Sequence, residues 1–379
     1  MNNTTNKINK FKSDRFTLIN KLLKITSMVN NKGYLFELGI LSRMTNFIKV
    51  ICIKIYENNI SNIESVNSGD IVESYLNLLE QLGVLSDVPN NKWIKQEVLL
   101  DYETKVSLKD DYNYICQNFH DNKEAFSTDL SQYLRSLIQY LLVLEKINLA
   151  KQIDSPLASN FYSDLGEQAF ELFNKKNFEQ VINTINGYNV LDIGCGNGNF
   201  IDYFLKKDKS FSVTGIEMQQ DLAVLLEKKY SNFRNVKIYS DNILDLNIVA
   251  QFDIINMSYM LFYLSFTEQI KLFSSLKENL SQNGRIIVCQ YFGNIEEIQI
   301  RIMKNRGKWN FIDRYKFSIS QNILYAELLL NASLGTFDTL PRYDKFLELL
   351  DITGFEINEI FPADDNFYSF YFSIKPKIT

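Results

Sequence analysis

The chain has 379 residues, a net charge of −5, 46% hydrophobic and 13% aromatic residues, four cysteines and one histidine. Such a composition can fill the cores of two domains, or of one domain with a large cap, and gives no general attraction to nucleic acid or to an anionic membrane. The lone His120 rules out a two-histidine metal site, and with no G-x-S-x-G turn beside it a serine-hydrolase reading also fails, so no metal ligands are expected.

The N-terminal stretch MNNTTNKINKFKSDRF is polar and basic and no apolar segment follows it, so a signal peptide is not expected; nor is a membrane span, since no run of 18 apolar residues occurs. Cys52, Cys116, Cys195 and Cys289 are scattered without C-x-x-C spacing, which fits reduced thiols in a cytoplasmic protein. Residues 1–155 read as a mainly helical first domain. SGDIVESYLNLLEQLGVL opens on Ser68 and Asp70 and stops at Gly83, and a turn-rich break then leads to a short strand around Trp93 and Ile94. This layout is winged-helix-like, but that helix, which would be the recognition helix, carries Asp70, Glu73 and Glu80 without a lysine or arginine, so DNA is not expected as a partner. In residues 129–147 the spacing of Leu130, Tyr133, Leu137, Leu141 and Leu144 predicts an amphipathic helix. Pro156 and its small neighbours mark the joint.

From 156 to 379 the rhythm changes to strands alternating with helices of about ten residues, which predicts an α/β domain with a doubly wound, mostly parallel sheet. The expected strands are YNVLDIG, FSVTGIEM, VKIYSD, FDIINMSY and GRIIVCQYF. Ligands of such sheets sit outside the carboxyl ends of the strands. The first strand ends in Asp192 and then Gly194-Cys195-Gly196-Asn197-Gly198, with G-x-G-x-G spacing rather than the G-x-G-x-x-G that cradles pyrophosphate. A carboxylate beside a phosphate has the wrong charge, whereas Asp192 favours a cation, by direct contact or through water. S-adenosylmethionine, which carries a sulfonium and an ammonium and no phosphate, is the cofactor expected on this ground. Glu217 closes the second strand, where it can accept hydrogen bonds from both ribose hydroxyls, with Met218 beside it. Asp241 after the third strand can hold the adenine amino group, with Asn242 adjacent and Ile243 packed on the ring, and Asn256 on the fourth strand falls near the methyl group.

These four strand ends make residues 187–292 resemble the class I S-adenosylmethionine-dependent methyltransferases, which yield S-adenosylhomocysteine as product. More loosely, the whole chain resembles the small-molecule O-methyltransferases. The resemblance implies a Rossmann-like catalytic domain, an N-terminal winged-helix domain that dimerises and closes over the acceptor, and a homodimer. LPRYDKFLELLDITGFEINEIFP fits the C-terminal helix and strand of that family, Gly354 ending the helix.

In the resembled enzymes a histidine base opens the segment after the fourth strand. Here that position is Phe262, followed by Tyr263. Without the base, the acceptor is expected to be a nucleophile needing no strong base: a carboxylate first, otherwise an amine or an acidic carbon. Phe262 and Tyr263, with Tyr162, are expected to wall the acceptor pocket. An insertion at about 293–340 replaces a short connector. Its segment 294–320 carries net charge +3, and Arg301, Arg306 and Arg314 are candidates to hold an anionic acceptor. The expected activity is methylation of a carboxylate on a small molecule or modified peptide in natural-product biosynthesis, as in the methyltransferases that esterify the C-terminus of modified peptides such as lanthipeptides. C- or N-methylation of a small acidic metabolite is one alternative, and a winged-helix regulator that senses the cofactor without turning it over is another.

Overall fold

The computed structural model describes residues 24, 34–63, 102–121, 134–135, 137–145, 166–167, 170–171, 175–245, 248–292, 319, 323, 341–363 and 369–377. The chain divides into two compact units, residues 1–64 with 74–145 and residues 65–73 with 146–379.

In the first unit, helix α1 (Tyr34–Ile63) is buried nearly all round from Phe36 to Ile55, as expected of a central core helix rather than a surface one. Its one fully buried cation, Arg43, is met by Asp111 of α2 (Tyr102–Asp121) at 3.3 Å and lies 4.0 Å over the Tyr114 ring, so the buried charge is paired. Leu137, Leu141 and Leu144 of the expected amphipathic helix are fully buried on a helical stretch. His120 sits exposed near the end of α2, edge-on to Phe119. The stretch expected to form the winged helix, residues 68–97, lies outside the described residues.

The second unit is built on a seven-stranded sheet. Its elements are α3 (Lys175–Ile182), β1 (Asn189–Ile193), α4 (Asn199–Lys207), β2 (Ser212–Glu217), α5 (Gln220–Tyr230), β3 (Val236–Ser240), β4 (Phe252–Ser258), α6 (Phe266–Asn279), β5 (Leu280–Gln290), α7 (Tyr343–Thr353), β6 (Phe355–Pro362) and β7 (Phe370–Pro376). Strand order is β3-β2-β1-β4-β5-β7-β6, with the first five parallel and β7 antiparallel to both its neighbours. This is the Rossmann-like, doubly wound α/β sheet expected from the alternation of strands and helices. Its central strands are near-continuous apolar runs because both faces are covered. On one face α6 and α7 bury Leu272, Phe273, Phe346 and Leu349 against Leu191, Ile255, Met257 and Val288. On the other, α3, α4 and α5 bury Phe178, Phe204 and Leu226 against Val190, Val213, Ile254 and Ile287. Order reverses between β1 and β4, which places a ligand crevice beyond their carboxyl ends.

The opposite ends of the strands are fastened by Asp253. Its Oδ2 accepts from the Tyr188 and Asn189 amides at 3.0 and 3.1 Å, and its Oδ1 from the Ser281 hydroxyl at 2.7 Å, tying β4 to the starts of β1 and β5. Asp253→Ala should lower stability by about 2 kcal/mol, since three hydrogen bonds to one carboxylate are lost. In urea unfolding this should appear as an earlier midpoint at unchanged slope, with ligand affinity at the far strand ends preserved.

Candidate functional site

Beyond the carboxyl ends of β1, β2, β3 and β4 lies a half-open cavity of about 580 Å3. The turn after β1 forms its floor. Gly194, Gly196 and Gly198 have φ of 70°, 55° and 82°, the left-handed region that L side chains rarely adopt. A Cβ at Gly196 would project into open space, so bare backbone is offered to a ligand at this point. Two backbone bonds from Gly194 and Cys195 to the Ile216 carbonyl, at 2.9 and 3.1 Å, dock the turn on β2.

Glu217 is buried at the end of β2 and grips the turn from within. Its Oε2 accepts from the Gly196 amide at 3.0 Å and its Oε1 from the Gln219 amide at 2.9 Å. The side chain is thereby locked at the cavity wall. Asp241, Asn242 and Ile243 line the cavity after β3, and Asn242 Oδ1 accepts from the Leu244 amide at 3.0 Å, which fixes that turn. Met218 is on the wall and largely exposed.

Asp192 and Asn256 are placed differently. Neither is on the cavity surface; both are buried beneath the turn on paired strands, where Asn256 Nδ2 donates to Asp192 Oδ1 at 2.7 Å. Asp192 Oδ2 has no hydrogen-bond partner. Burial, with Glu217 nearby, pushes the Asp192 carboxyl up to about 7 against the opposing effect of the Asn256 bond. Burial, then Asp192 and Glu217, also hold the Cys195 thiol well above its usual range, so this cavity-wall cysteine stays neutral.

The far side of the cavity is aromatic. Phe262 and Tyr263 lie on its wall in a short 3-10 turn (Leu261–Tyr263), with Phe262 buried and its ring stacked 5.6 Å from Tyr291. Tyr259, with φ of 54°, is the one non-glycine residue in the left-handed region among the described residues. Its amide donates to the Cys289 carbonyl at 2.9 Å, and its hydroxyl lies 2.7 Å from the Ser369 hydroxyl. Those bonds hold a conformation that costs on the order of 1 kcal/mol or more. Tyr162, Arg301, Arg306 and Arg314 lie outside the described residues.

Several wall residues were not anticipated from the sequence: Phe170, Asn199, Phe200, Ser258, Tyr259 and Glu268. Glu268 carried a readable signal, because Ser265-x-x-Glu268 is a capping box, and it forms at the start of α6. The Ser265 hydroxyl and amide both donate to the Glu268 carboxylate and hold it below the usual range, so it is ionised. Phe170 comes to the site through ring contact with Phe200 at 4.9 Å, a tertiary event with no local signature.

Charge decides what fits. Among the described residues of the wall there are three carboxylates, those of Glu217, Asp241 and Glu268, and no lysine, arginine or histidine. A cation is favoured there and pyrophosphate is not. The bare backbone at Gly196 and the orphaned Asp192 oxygen fit a ligand with a positively charged amino-acid tail. No group of metal-binding side chains occurs among the described residues, and no described helix is long and apolar enough to cross a membrane.

Two variants test the arrangement. Glu217→Ala should weaken binding of S-adenosylhomocysteine by at least about tenfold in calorimetry, as expected for charge-assisted hydrogen bonds. Through Asp192 that affinity is expected to depend on pH. Its folded-state value lies above the unfolded one, so the protein without ligand loses stability as pH rises toward 7, while a bound cation favours the ionised form. Affinity should therefore rise from about pH 5.5 to about 7.5 with proton release, below the range in which the ligand's own amine, at ~8, titrates. In Asp192→Asn that rise should vanish.

Residues 190–284 match the family described as a methyltransferase domain. The chain is similar to the ribosomal RNA small subunit methyltransferase A of Wigglesworthia glossinidia brevipalpis, 27% identical over 187 residues, which are 46% of this chain and 66% of that protein, just under two thirds of its length. Among solved structures it is similar to the mitomycin 7-O-methyltransferase MmcR (11% identity, 86% of this chain and 94% of that one, TM-score 0.45). It is also similar to the glycopeptide N-methyltransferase MtfA complexed with S-adenosyl-L-homocysteine (15% identity, 33% of this chain and 51% of that one, TM-score 0.30).

Proposed function

We propose that this chain, which carries an S-adenosylmethionine-dependent methyltransferase domain, transfers the methyl group to an already ionised carboxylate of a small molecule or modified peptide. One observation carries the reading. Where the resembled O-methyltransferases place a histidine base, Phe262 is buried and stacked on Tyr291, and the described wall offers no other imidazole or amine. A carboxylate needs no base near neutral pH.

When bound, the cofactor supplies a methyl group on a cationic sulfur that is already a good leaving group. The work left to the protein is alignment and exclusion of water. Glu217 takes the ribose hydroxyls. Asp241, Asn242 and Ile243 take the adenine, with Met218 as cover. The glycine turn takes the amino-acid tail, and Asp192 supplies negative charge from beneath it. Asn256 fixes the ionised Asp192 by its hydrogen bond. Phe262, Tyr263 and Tyr162 wall the acceptor, while Arg301, Arg306 and Arg314 pair with its anionic group. Residues 1–155 cap the acceptor and dimerise; residues 156–379 form the catalytic domain. Natural-product biosynthesis, in the cytoplasm, is the setting that this chemistry suits.

The bond formed tests the reading. Incubation with the methyl donor and carboxylate-bearing candidates should give a product one methyl heavier, which loses that methyl in mild alkali, as an ester does. A methyl that survives alkali would transfer the assignment to nitrogen or carbon.

A further inference from the structure

The three glycines leave the cofactor turn with little stiffness of its own, because each gives up unusual backbone freedom on folding. Glu217 holds the turn on the cavity side. Its outer side is held from the far end of α5. Lys229 Nζ donates to the Asn197 carbonyl at 3.1 Å and pairs with Asp202 Oδ2 at 2.9 Å. The Tyr230 hydroxyl lies 3.0 Å from the Gly198 carbonyl and 2.9 Å from Asp202 Oδ1, so its one proton is shared between two acceptors. Burial, reinforced by Asp202, raises the Tyr230 phenol far above its usual range, so that proton is permanent. The fit is close: a Cβ on Gly198 would stand 2.4 Å from the Tyr230 oxygen.

A peptide unit is planar, so fixing a carbonyl fixes the amide across from it. The Gly198 carbonyl shares its plane with the amide of Asn199, which opens α4 and lies on the cavity wall. That amide is one of the first donors of a helix, without an intrahelical acceptor, at the end that favours an anion. The one anion on the cofactor is the carboxylate of its amino-acid tail.

We propose that Tyr230 and Lys229 are positioning residues for the tail of the methyl donor: from behind the turn they hold the Asn197 and Gly198 carbonyls, and so aim the first amide of α4 at the tail carboxylate. Neither residue lines the cavity. The inference rests on the cofactor of the domain and not on the identity of the acceptor, so its test needs no acceptor.

Calorimetry with two probes gives that test. S-adenosylhomocysteine carries the tail, and adenosine lacks it. Tyr230→Phe, which keeps the ring in the core, should weaken S-adenosylhomocysteine about five- to tenfold and leave adenosine within about twofold, the range expected for loss of one hydrogen-bonding hydroxyl. Lys229→Gln, at a partly exposed side chain where folding is at little risk, should give a smaller loss with the same selectivity, and Lys229→Arg should restore affinity. Equal weakening of both probes, or no weakening of either, would overturn the proposal and leave the pair as packing for α4 and α5. A Tyr230→Phe protein that fails to fold would transfer the decision to the Lys229 variants, whose two probes separate the same outcomes.

Discussion

The site depends on a carboxylate closing a turn that cannot hold itself. Glu217 spends both oxygens on backbone amides, those of Gly196 and Gln219, and so couples the loop after β1 to the start of α5. The bonds are charge-assisted and part-buried, which strengthens them relative to bonds in open water. Geometry and charge therefore meet in one residue: the side chain that shapes the turn is also one of the three carboxylates that give the cavity wall its negative sign. Asp192 adds to that sign from below, and its orphaned oxygen shows that the protein without ligand carries a polar atom it does not satisfy internally.

The aromatic side is held by different means. Tyr259 leaves β4 in a left-handed conformation, and the two bonds that keep it there reach Cys289 on β5 and Ser369 just before β7. Tyr291 stands between the rings of Tyr259 and Phe262, at 5.8 and 5.6 Å from them. This wall is accordingly a product of the antiparallel end of the sheet as much as of the loop that carries Phe262. The glycine-turn side is held by β2 and α5, the aromatic side by β5 and β7, and the two meet where strand order reverses.

Much of this was legible in the sequence, for physical reasons. Strands alternate with helices of about ten residues, and β1 and β2 are short, mostly apolar runs that close on Gly194 and Glu217, so β1 to β5 and the glycine turn could be found from local pattern. Gly354 marked the end of α7, and it takes the left-handed conformation there. The burial of Asp192 and Asn256 beneath the turn was not legible, because a strand residue's face follows from its pairing and not from its type. Phe170 reaches the site only through a tertiary contact, and the left-handed conformation of Tyr259 depends on bonds to Cys289 and Ser369. Strand β7 also went unmarked: YSFYFSIKP alternates poorly, since it is buried on both faces between β5 and β6.

That last strand has a consequence for how the protein is made. The edge of β5 from Ile286 to Gln290 pairs with Phe370–Ile374, so residues 291–369 must all be synthesised before this edge is covered. A nascent chain on the ribosome therefore carries this apolar strand edge without its β7 partner until those residues have been made, when such edges recruit one another. Chains cut short before residue 370 would keep that edge, lose the Ser369 anchor of Tyr259 in any chain ending before it, and present aggregation-prone sheet in place of a finished aromatic wall.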